Sequence, residues 1–195
     1  MKKMIGSLLY LITKVIPKVY AEEWLPIVNE KGEVRGRVTL SQSNELGNKY
    51  LHPLIRVALV HNGMLFLVRK PSPFAGEPQS LDYPFESLLK YKESLDKGVE
   101  RTLRLCEESA LSYSYLFRYL YKSDKRNSLV FLYVSNVFDE EQAKQLRLGE
   151  GKWWMSKQIE ENLNTGLFSD CFEKEYEFLK ETIIMADKLM RSDLI

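Results

Sequence analysis

The sequence predicts a mixed α/β or α+β sandwich, and three observations support this fold class. Apolar residues make up 45% of the 195 residues, which is enough to bury one core of ordinary size. Two apolar runs flank Asn62-Gly63, a dipeptide that strongly indicates a two-residue β-hairpin turn. Between Ser94 and Glu108, apolar residues recur at spacings of four, four and three, which is typical of a helix with one buried face.

The remaining elements follow from alternating apolar runs and turn residues. The first hairpin has charged residues and a glycine at its turn, and the last has a polar turn at residues 123–127. Strands, a helix, further strands and then helices make an order that suits a layered fold. In chain order the predicted elements are Trp24–Leu40 (hairpin), Leu54–Lys70 (hairpin), Ser94–Glu108 (helix), Tyr115–Phe138 (hairpin), Gly151–Leu163 (strand and helix) and Phe172–Met190 (helix).

Residues 1–21 form a predicted amphipathic helical extension ahead of a domain at residues 22–195. Apolar residues between Ile5 and Val19 fall at helical spacing and make one stripe, which suits a protein groove. A docking helix is favoured over an upstream start-site extension and over a signal peptide, because two lysines and a proline interrupt the apolar run. The run is also too short to span a bilayer, so we expect a cytoplasmic protein without membrane attachment.

Charge and cysteine content narrow the function classes. Lysine and arginine number 28 against 27 acidic residues, so the chain has no basic surplus and nucleic-acid binding is not expected. Cys106 and Cys171 lie far apart, without a metal-binding spacing or a disulfide framework. The histidines His52 and His61 share no ligand motif.

Specific segments in this order resemble a known superfamily. They are the hairpin "PIVNEKGEVRGRVTL", the strands "LHPLIRVALVHNGMLFLVRKP" and the tail "GKWWMSKQIEENLNTGLFSDCFEKEYEFLK". Together they resemble the Nudix hydrolases, and within these the branch grouped with isopentenyl-diphosphate isomerase. The resemblance covers Trp24 to Lys180 and implies a Nudix-type α/β/α sandwich with a mixed central sheet. His52 takes the place of a histidine of that branch, and Arg56 replaces its second histidine.

The functional signature of this superfamily is G-x5-E-x7-R-E-U-x-E-E-x-G-U, where U is a bulky apolar residue. Its glycine lets a loop approach a diphosphate, and its helical glutamates hold Mg²⁺ or Mn²⁺, which prefer oxygen ligands. Aligned without gaps, Ser87 replaces the glycine, while Glu93 and Arg101 match the signature. The metal-binding positions hold no carboxylate and are occupied by Thr102, Leu105 and Cys106.

A register shifted by two residues recovers two glutamates, Glu107 and Glu108, as metal ligands. It also places Arg104 at a ligand position, where a cation would repel the metal. These glutamates fit equally well on a solvated helix face, since Glu100, Arg104 and Glu108 are spaced by four residues. Metal ligands are therefore expected at Glu107 and Glu108 only if the shifted register is real, and otherwise nowhere.

The resemblance implies a Nudix-like protein with a degenerate catalytic box. We expect a ligand-binding or scaffolding module that lacks standard metal-dependent diphosphate hydrolysis and needs no cofactor. Glu93 and Arg101 are the box remnants at catalytic positions, and the expected ligand-binding residues are Glu86, Ser87 and Trp153. The expected partners are a small diphosphate-containing ligand and a second copy of the chain.

Two alternatives stay open. One is an active Nudix hydrolase, dependent on Mg²⁺ or Mn²⁺, that cleaves a nucleoside diphosphate-type substrate through a rearranged carboxylate site. The other is a protein-interaction module that uses the N-terminal apolar stripe. The sequence does not decide whether the chain is an enzyme.

Overall fold

The structure, a computed structural model, describes residues 22–69, 80–103, 111–124, 126–136 and 151–192, with residue 136 and residues 183–192 described by backbone alone. The predicted helical extension at residues 1–21 lies outside these residues, as does the end of the predicted helix after Leu103. The strands are β1 Trp24–Val28, β2 Val34–Thr39, β3 Leu51–His61, β4 Met64–Arg69, β5 Leu81–Asp82, β6 Phe85–Leu88, β7 Ser114–Lys122, β8 Asn127–Asn136 and β9 Gly151–Met155. The α-helices are α1 Leu40–Leu46, α2 Leu95–Leu103, α3 Ser156–Glu160 and α4 Asp170–Ser192.

Strand β3 organises a mixed sheet that contains seven strands among the described residues. It pairs in parallel with β8 over Leu51–Val60, and on its other edge antiparallel with β6 and β4 in turn. Strand β7 extends the sheet beyond β8, while β5 and β9 both pair with β4. The hairpin β1–β2 forms a separate two-stranded sheet. The predicted mixed central sheet is therefore confirmed.

The hairpin β3–β4 turns where the sequence predicts it. Asn62 and Gly63 have φ angles of 47° and 71°, the left-handed pair that a tight two-residue turn needs. His61 then pairs with Met64 and Val60 with Leu65 in antiparallel register. The predicted antiparallel pairing around this turn is confirmed.

Helices cover both faces of the central sheet. On one face, Val99 and Leu103 of α2 pack with Ile55 and Val57 of β3 in one buried cluster. On the other face, aromatic residues of α4 pack with alternate residues of β3 and β4 in a second cluster. Successive residues of a strand point to opposite faces, so β3 supplies side chains to both cores. This arrangement is the predicted α/β/α sandwich.

Helix α2 approaches β3 so closely that it needs a glycine. A Cβ atom at Gly98 would lie 2.5 Å from Cδ1 of Ile55 and 2.7 Å from Cδ1 of Leu89. Both neighbours are buried, so they have little space into which to move. The helix therefore packs at a distance that only a residue without a side chain permits.

We predict that Gly98→Val destabilises the fold by roughly 1–3 kcal/mol, because overpacking forces a shift of Ile55 or Leu89. Urea unfolding monitored by circular dichroism measures the change. Lys97→Val, an equally β-branched substitution at an exposed position of the same helix, is the matched control and should cost less. A loss for Gly98→Val no larger than that for Lys97→Val would contradict the close-packing explanation, since valine is a better helix former than glycine.

Candidate functional site

A cavity of about 710 Å³ lies where the central sheet meets the β1–β2 hairpin and α1. Strands β3, β6 and the start of β8 form its floor, while β1 and α1 form its opposite wall. Three of the residues singled out from the sequence, Glu86, Ser87 and Arg101, line it. Polar lining residues from the other elements are Glu23, Ser43, Asn44, His52, Arg126, Asn127 and Ser128.

Glu93 and Arg101 form a brace between the β6–α2 loop and helix α2. The Arg101 Nε and Nη2 atoms each donate to one carboxylate oxygen of Glu93 at 2.8 Å. Arg101 also donates to the Leu88 carbonyl, and the Lys90 amide donates to Glu93. The Arg101 guanidinium holds the pKa of the Glu93 carboxyl below its ordinary value. The two residues are thus bound to each other, and their geometry is that of a loop support.

The hydroxyl groups of Ser87 and Thr102 meet at the edge of the cavity. Thr102 Oγ1 donates to the Gly98 carbonyl at 2.7 Å, so its single hydrogen is used within the helix. Ser87 Oγ therefore donates to Thr102 Oγ1 in the hydrogen bond between them. Thr102 is completely buried. This first metal-ligand position of the ungapped register thus holds a satisfied neutral hydroxyl, which does not fit the carboxylate cage of a hard cation.

Trp153 is not among the residues that line this cavity. Trp153 lies on β9, where its ring contacts Phe66 at 5.1 Å and His61 at 5.5 Å between ring centroids. Glu107 and Glu108 lie outside the described residues. Within the described ranges, no group of three His, Cys, Asp or Glu side chains is arranged to hold a metal ion.

Behind the cavity floor, a fully buried arginine is surrounded by carboxylates. Arg56 has no exposed surface, and its Nη2 donates to Asp82 Oδ1 at 2.6 Å. Its Nη1 pairs with Glu86 Oε2, and its Nε lies 3.0 Å from Glu175 Oε1. The Tyr83 ring lies beside the guanidinium at 5.1 Å. The partners come from β5, β6 and α4, so this charge cluster joins three elements to β3.

The acidic members of the cluster receive further hydrogen bonds. Asp82 accepts from the Ser169 hydroxyl at 2.9 Å and from the Tyr83 amide at 2.7 Å. The Tyr119 hydroxyl donates to Glu175 Oε1 at 2.6 Å. Buried carboxylates are tolerated when such partners replace water.

Three carboxylates face two guanidiniums in this part of the described structure, because Arg126 also pairs with Glu86 at 3.0 Å. Burial raises the pKa of the Glu175 carboxyl from 4.5 to about 7, although the Arg56 guanidinium opposes this rise. Glu175 therefore exchanges a proton near neutral pH.

His52 ties the cavity wall to the sheet. Its Nδ1 hydrogen is donated to the Pro26 carbonyl at 2.8 Å, so Nε2 is free to accept from the Ser43 hydroxyl at 2.9 Å. Burial lowers the pKa of the His52 ring. The ring is thus neutral at pH 7, with its tautomer fixed by β1 and α1.

Few features of the sequence predict the charge cluster. The one available indication is Arg56 itself, an arginine inside the apolar run "LIRVALV" that must find partners if the strand is buried. Asp82 and Glu175 lie 26 and 119 residues away along the chain. No local pattern connects them to Arg56.

Comparison with known proteins gives matches among solved structures. No family model matches the chain, and no curated protein matches it. The crystal structure of DR0079 from Deinococcus radiodurans aligns with a TM-score of 0.58 at 19% identity, covering 84% of this chain and 98% of that one. The NMR solution structure of DR0079, described as a hypothetical Nudix protein, aligns with a TM-score of 0.46 at 17% identity, covering 85% and 99%. A NUDIX family hydrolase from Clostridium perfringens aligns with a TM-score of 0.44 at 10% identity, covering 67% and 97%.

The chain has the Nudix-type fold. The crystal structure of DR0079 carries this assignment, because its TM-score lies above 0.5 and the alignment spans nearly all of that protein. At 19% identity the likeness concerns the fold. In the described part of this Nudix-type domain, no helix is long and apolar enough to cross a membrane.

We predict that Glu175 makes the stability of this Nudix-type domain fall as pH rises from about 4.5 to about 7. The pKa of Glu175 is raised on folding, so within this window the unfolded chain loses a proton that the folded chain keeps. The contribution lost is about 3 kcal/mol. Urea unfolding at several pH values, in wild type and Glu175→Gln, measures it.

The difference between wild type and Glu175→Gln isolates this effect, since His52 and other groups titrate in both proteins. Glu177→Gln, on the exposed side of the same helix, is the matched control and should follow the wild-type curve. A difference between wild type and Glu175→Gln that does not vary with pH would contradict the assignment.

We further predict that Arg56→Met lowers the free energy of unfolding by roughly 3–5 kcal/mol, because it leaves buried carboxylates without their shared cation. Thermal and urea unfolding provide the measurement. Arg35→Met serves as control, since Arg35 pairs with Glu33 at the surface, where both side chains are more than half exposed and such a pair contributes little. Equal effects of the two substitutions would show that the Arg56 cluster adds nothing beyond a surface ion pair.

Proposed function

We propose that this chain is a ligand-binding module that accepts a small diphosphate-containing molecule, of nucleotide or isoprenoid type, without metal-dependent hydrolysis. The observation that carries this proposal is the Ser87–Thr102 hydrogen bond at the cavity edge. It occupies the place where a catalytic Nudix box needs a glycine and a carboxylate.

The Glu93–Arg101 brace supports the ungapped register on which this proposal depends. In the shifted register, the glutamate and arginine of the signature would fall on Leu95 and Leu103. Leu103 is buried in the core below α2, and Leu95 packs against the same core. An ion pair at those two positions would require buried charge in place of apolar contact. In the ungapped register, the glutamate and arginine of the signature fall on Glu93 and Arg101, which form a bidentate ion pair.

The cavity supports the binding part of the proposal. Its volume of about 710 Å³ lies within the range of roughly 300–1,000 Å³ that is typical of small-molecule sites. Hydroxyl, amide and guanidinium groups line it, and these groups bind phosphate oxygens and the polar edges of a base or sugar.

We also propose that the chain is related to the branch of isopentenyl-diphosphate isomerase. The hairpin β1–β2 precedes β3 and is joined to it by the hydrogen bond from His52 to the Pro26 carbonyl. This position of the hairpin agrees with the resemblance of Pro26–Leu40 to the opening hairpin of that branch.

We predict that the purified protein does not hydrolyse common nucleoside diphosphate derivatives with Mg²⁺ or Mn²⁺ above a control without enzyme. The reason is that the Thr102 hydroxyl is neutral and already donates its hydrogen to the Gly98 carbonyl, whereas the metal needs an anionic oxygen. Phosphate and nucleotide release across a substrate panel is the measurement. Metal-dependent turnover that is lost in Glu107→Gln and Glu108→Gln would establish the active-hydrolase alternative and overturn the proposal.

Binding is tested separately by thermal shift with nucleotides and isoprenoid diphosphates, with and without Mg²⁺. A ligand that binds only the folded state raises the melting temperature, by an amount that grows with its concentration. We expect a shift that does not require Mg²⁺. The absence of a shift with every compound of the panel would contradict diphosphate binding.

A further inference from the structure

Arg126 presents a guanidinium to the cavity from the residue just before β8. Its side chain is 23% exposed, and its Nη1 lies 3.0 Å from Glu86 Oε1. The Tyr121 ring lies beside it, with 5.8 Å between the guanidinium carbon and the ring centroid. Its Nη2 lies 3.8 Å from the Cys171 sulfur, which is a weak partner for a cation. These contacts hold Arg126 in place, and among the described residues it forms an ion pair with Glu86.

Glu86 can lose Arg126 without being left as an isolated buried charge. Its carboxylate bridges two arginines, with Oε2 on Arg56 and Oε1 on Arg126. If an anion took the place of Oε1 at Arg126, Oε2 would still be paired with Arg56. The cavity's other arginine differs, because Arg101 holds Glu93 through two hydrogen bonds and supports the loop. Arg126 is therefore the arginine that a ligand can recruit with less damage to the fold.

The charged residues of the cavity wall determine how strongly an anion is attracted to it. Two arginines and two glutamates line the cavity among the described residues, so the wall has no excess of positive charge. A diphosphate would be attracted by Arg126 and repelled by the adjacent carboxylate of Glu86. Glu86 occupies, with its own oxygen, the position at which a phosphate oxygen would bind the guanidinium.

We propose that Arg126 is the phosphate-recognition residue of the cavity and that Glu86 is its built-in counter-ion, displaced from Arg126 when a phosphorylated ligand binds. This inference rests on the proposed function, because it takes the cavity to be the site of a diphosphate-containing ligand. It also predicts which ligands contact Arg126. Only a ligand with enough negative charge to displace Glu86 forms a contact with Arg126. A neutral nucleoside would bind without that contact.

The experiment is calorimetric titration in EDTA, with ADP and inorganic pyrophosphate as charged probes and adenosine as the neutral one. We expect Arg126→Gln to weaken ADP binding about tenfold or more, because the ligand phosphate loses a charge-assisted contact. Arg126→Lys keeps the charge and should retain most of the affinity. Glu86→Gln keeps the shape but removes the competing charge, and should bind ADP roughly three- to tenfold more tightly. Adenosine binding should be the same in all of these proteins.

Circular dichroism melting checks that each variant is folded. If Glu86→Gln does not fold, Glu86→Asp replaces it, since the shorter side chain keeps a charge beside Arg56 but withdraws from Arg126. Tighter ADP binding is expected there too. The matched control is Arg35→Gln, an exposed arginine of β2, which should bind as wild type does.

The results distinguish failure of the counter-ion proposal from failure of diphosphate binding. If wild type and Arg126→Gln bind ADP equally, or if Glu86→Gln binds it more weakly, the counter-ion proposal is overturned while diphosphate binding stands. If neither ADP nor pyrophosphate binds to wild type, Glu86→Gln or Arg126→Lys, diphosphate binding itself is contradicted, and the counter-ion proposal falls with it.

Discussion

A fully buried arginine in the central strand constrains much of this molecule. A guanidinium removed from water must regain its hydrogen bonds and its counter-charge from the protein, or the folded state would be too costly. Arg56 meets this demand with carboxylates from β5, β6 and α4. Those three elements must therefore dock on β3 in one register. Hydrophobic packing alone would tolerate more than one placement of α4, whereas the directional hydrogen bond from Arg56 to Glu175 favours one.

The same cluster shapes the cavity. Glu86 belongs both to the buried charge cluster, through Arg56, and to the cavity wall, through Arg126. A change of charge in the cavity therefore acts on Glu86, which is also paired with Arg56 in the core between β3 and α4. Because Glu175 is buried next to Arg56 and has a pKa of about 7, this core is also sensitive to proton concentration near neutral pH. The buried charge cluster and the cavity wall thus share Glu86.

Hydrogen bonds around the Glu93–Arg101 brace hold the β6–α2 segment in place. The brace of Glu93 and Arg101 fixes the loop through side-chain and main-chain hydrogen bonds, none of which needs a metal. At the first metal-ligand position of the ungapped register, Thr102 is satisfied by Ser87 and by its own helix. The loop is therefore supported without a metal, which agrees with the binding role proposed for the cavity.

The sequence by itself determined the local features of this protein. The turn at Asn62-Gly63, the buried face of α2 and the match of Glu93 and Arg101 to a signature all depend on residues at most eight apart. Such short spacings fix backbone conformation and helix faces directly. The alternation of Trp153 and Trp154 is similarly local, and the two rings pack in different clusters.

Only the tertiary structure decided the rest. The parallel pairing of β3 with β8, the cavity between α1 and the sheet, and the partners of Arg56 join residues that are distant in the chain. Trp153, predicted from the sequence to bind a ligand, packs against Phe66 and is not among the residues that line the cavity. Hydrophobic periodicity tells which face of an element is buried, but not which element covers it. Long-range ion pairs depend on that second choice, and it is made only when the helices and strands dock.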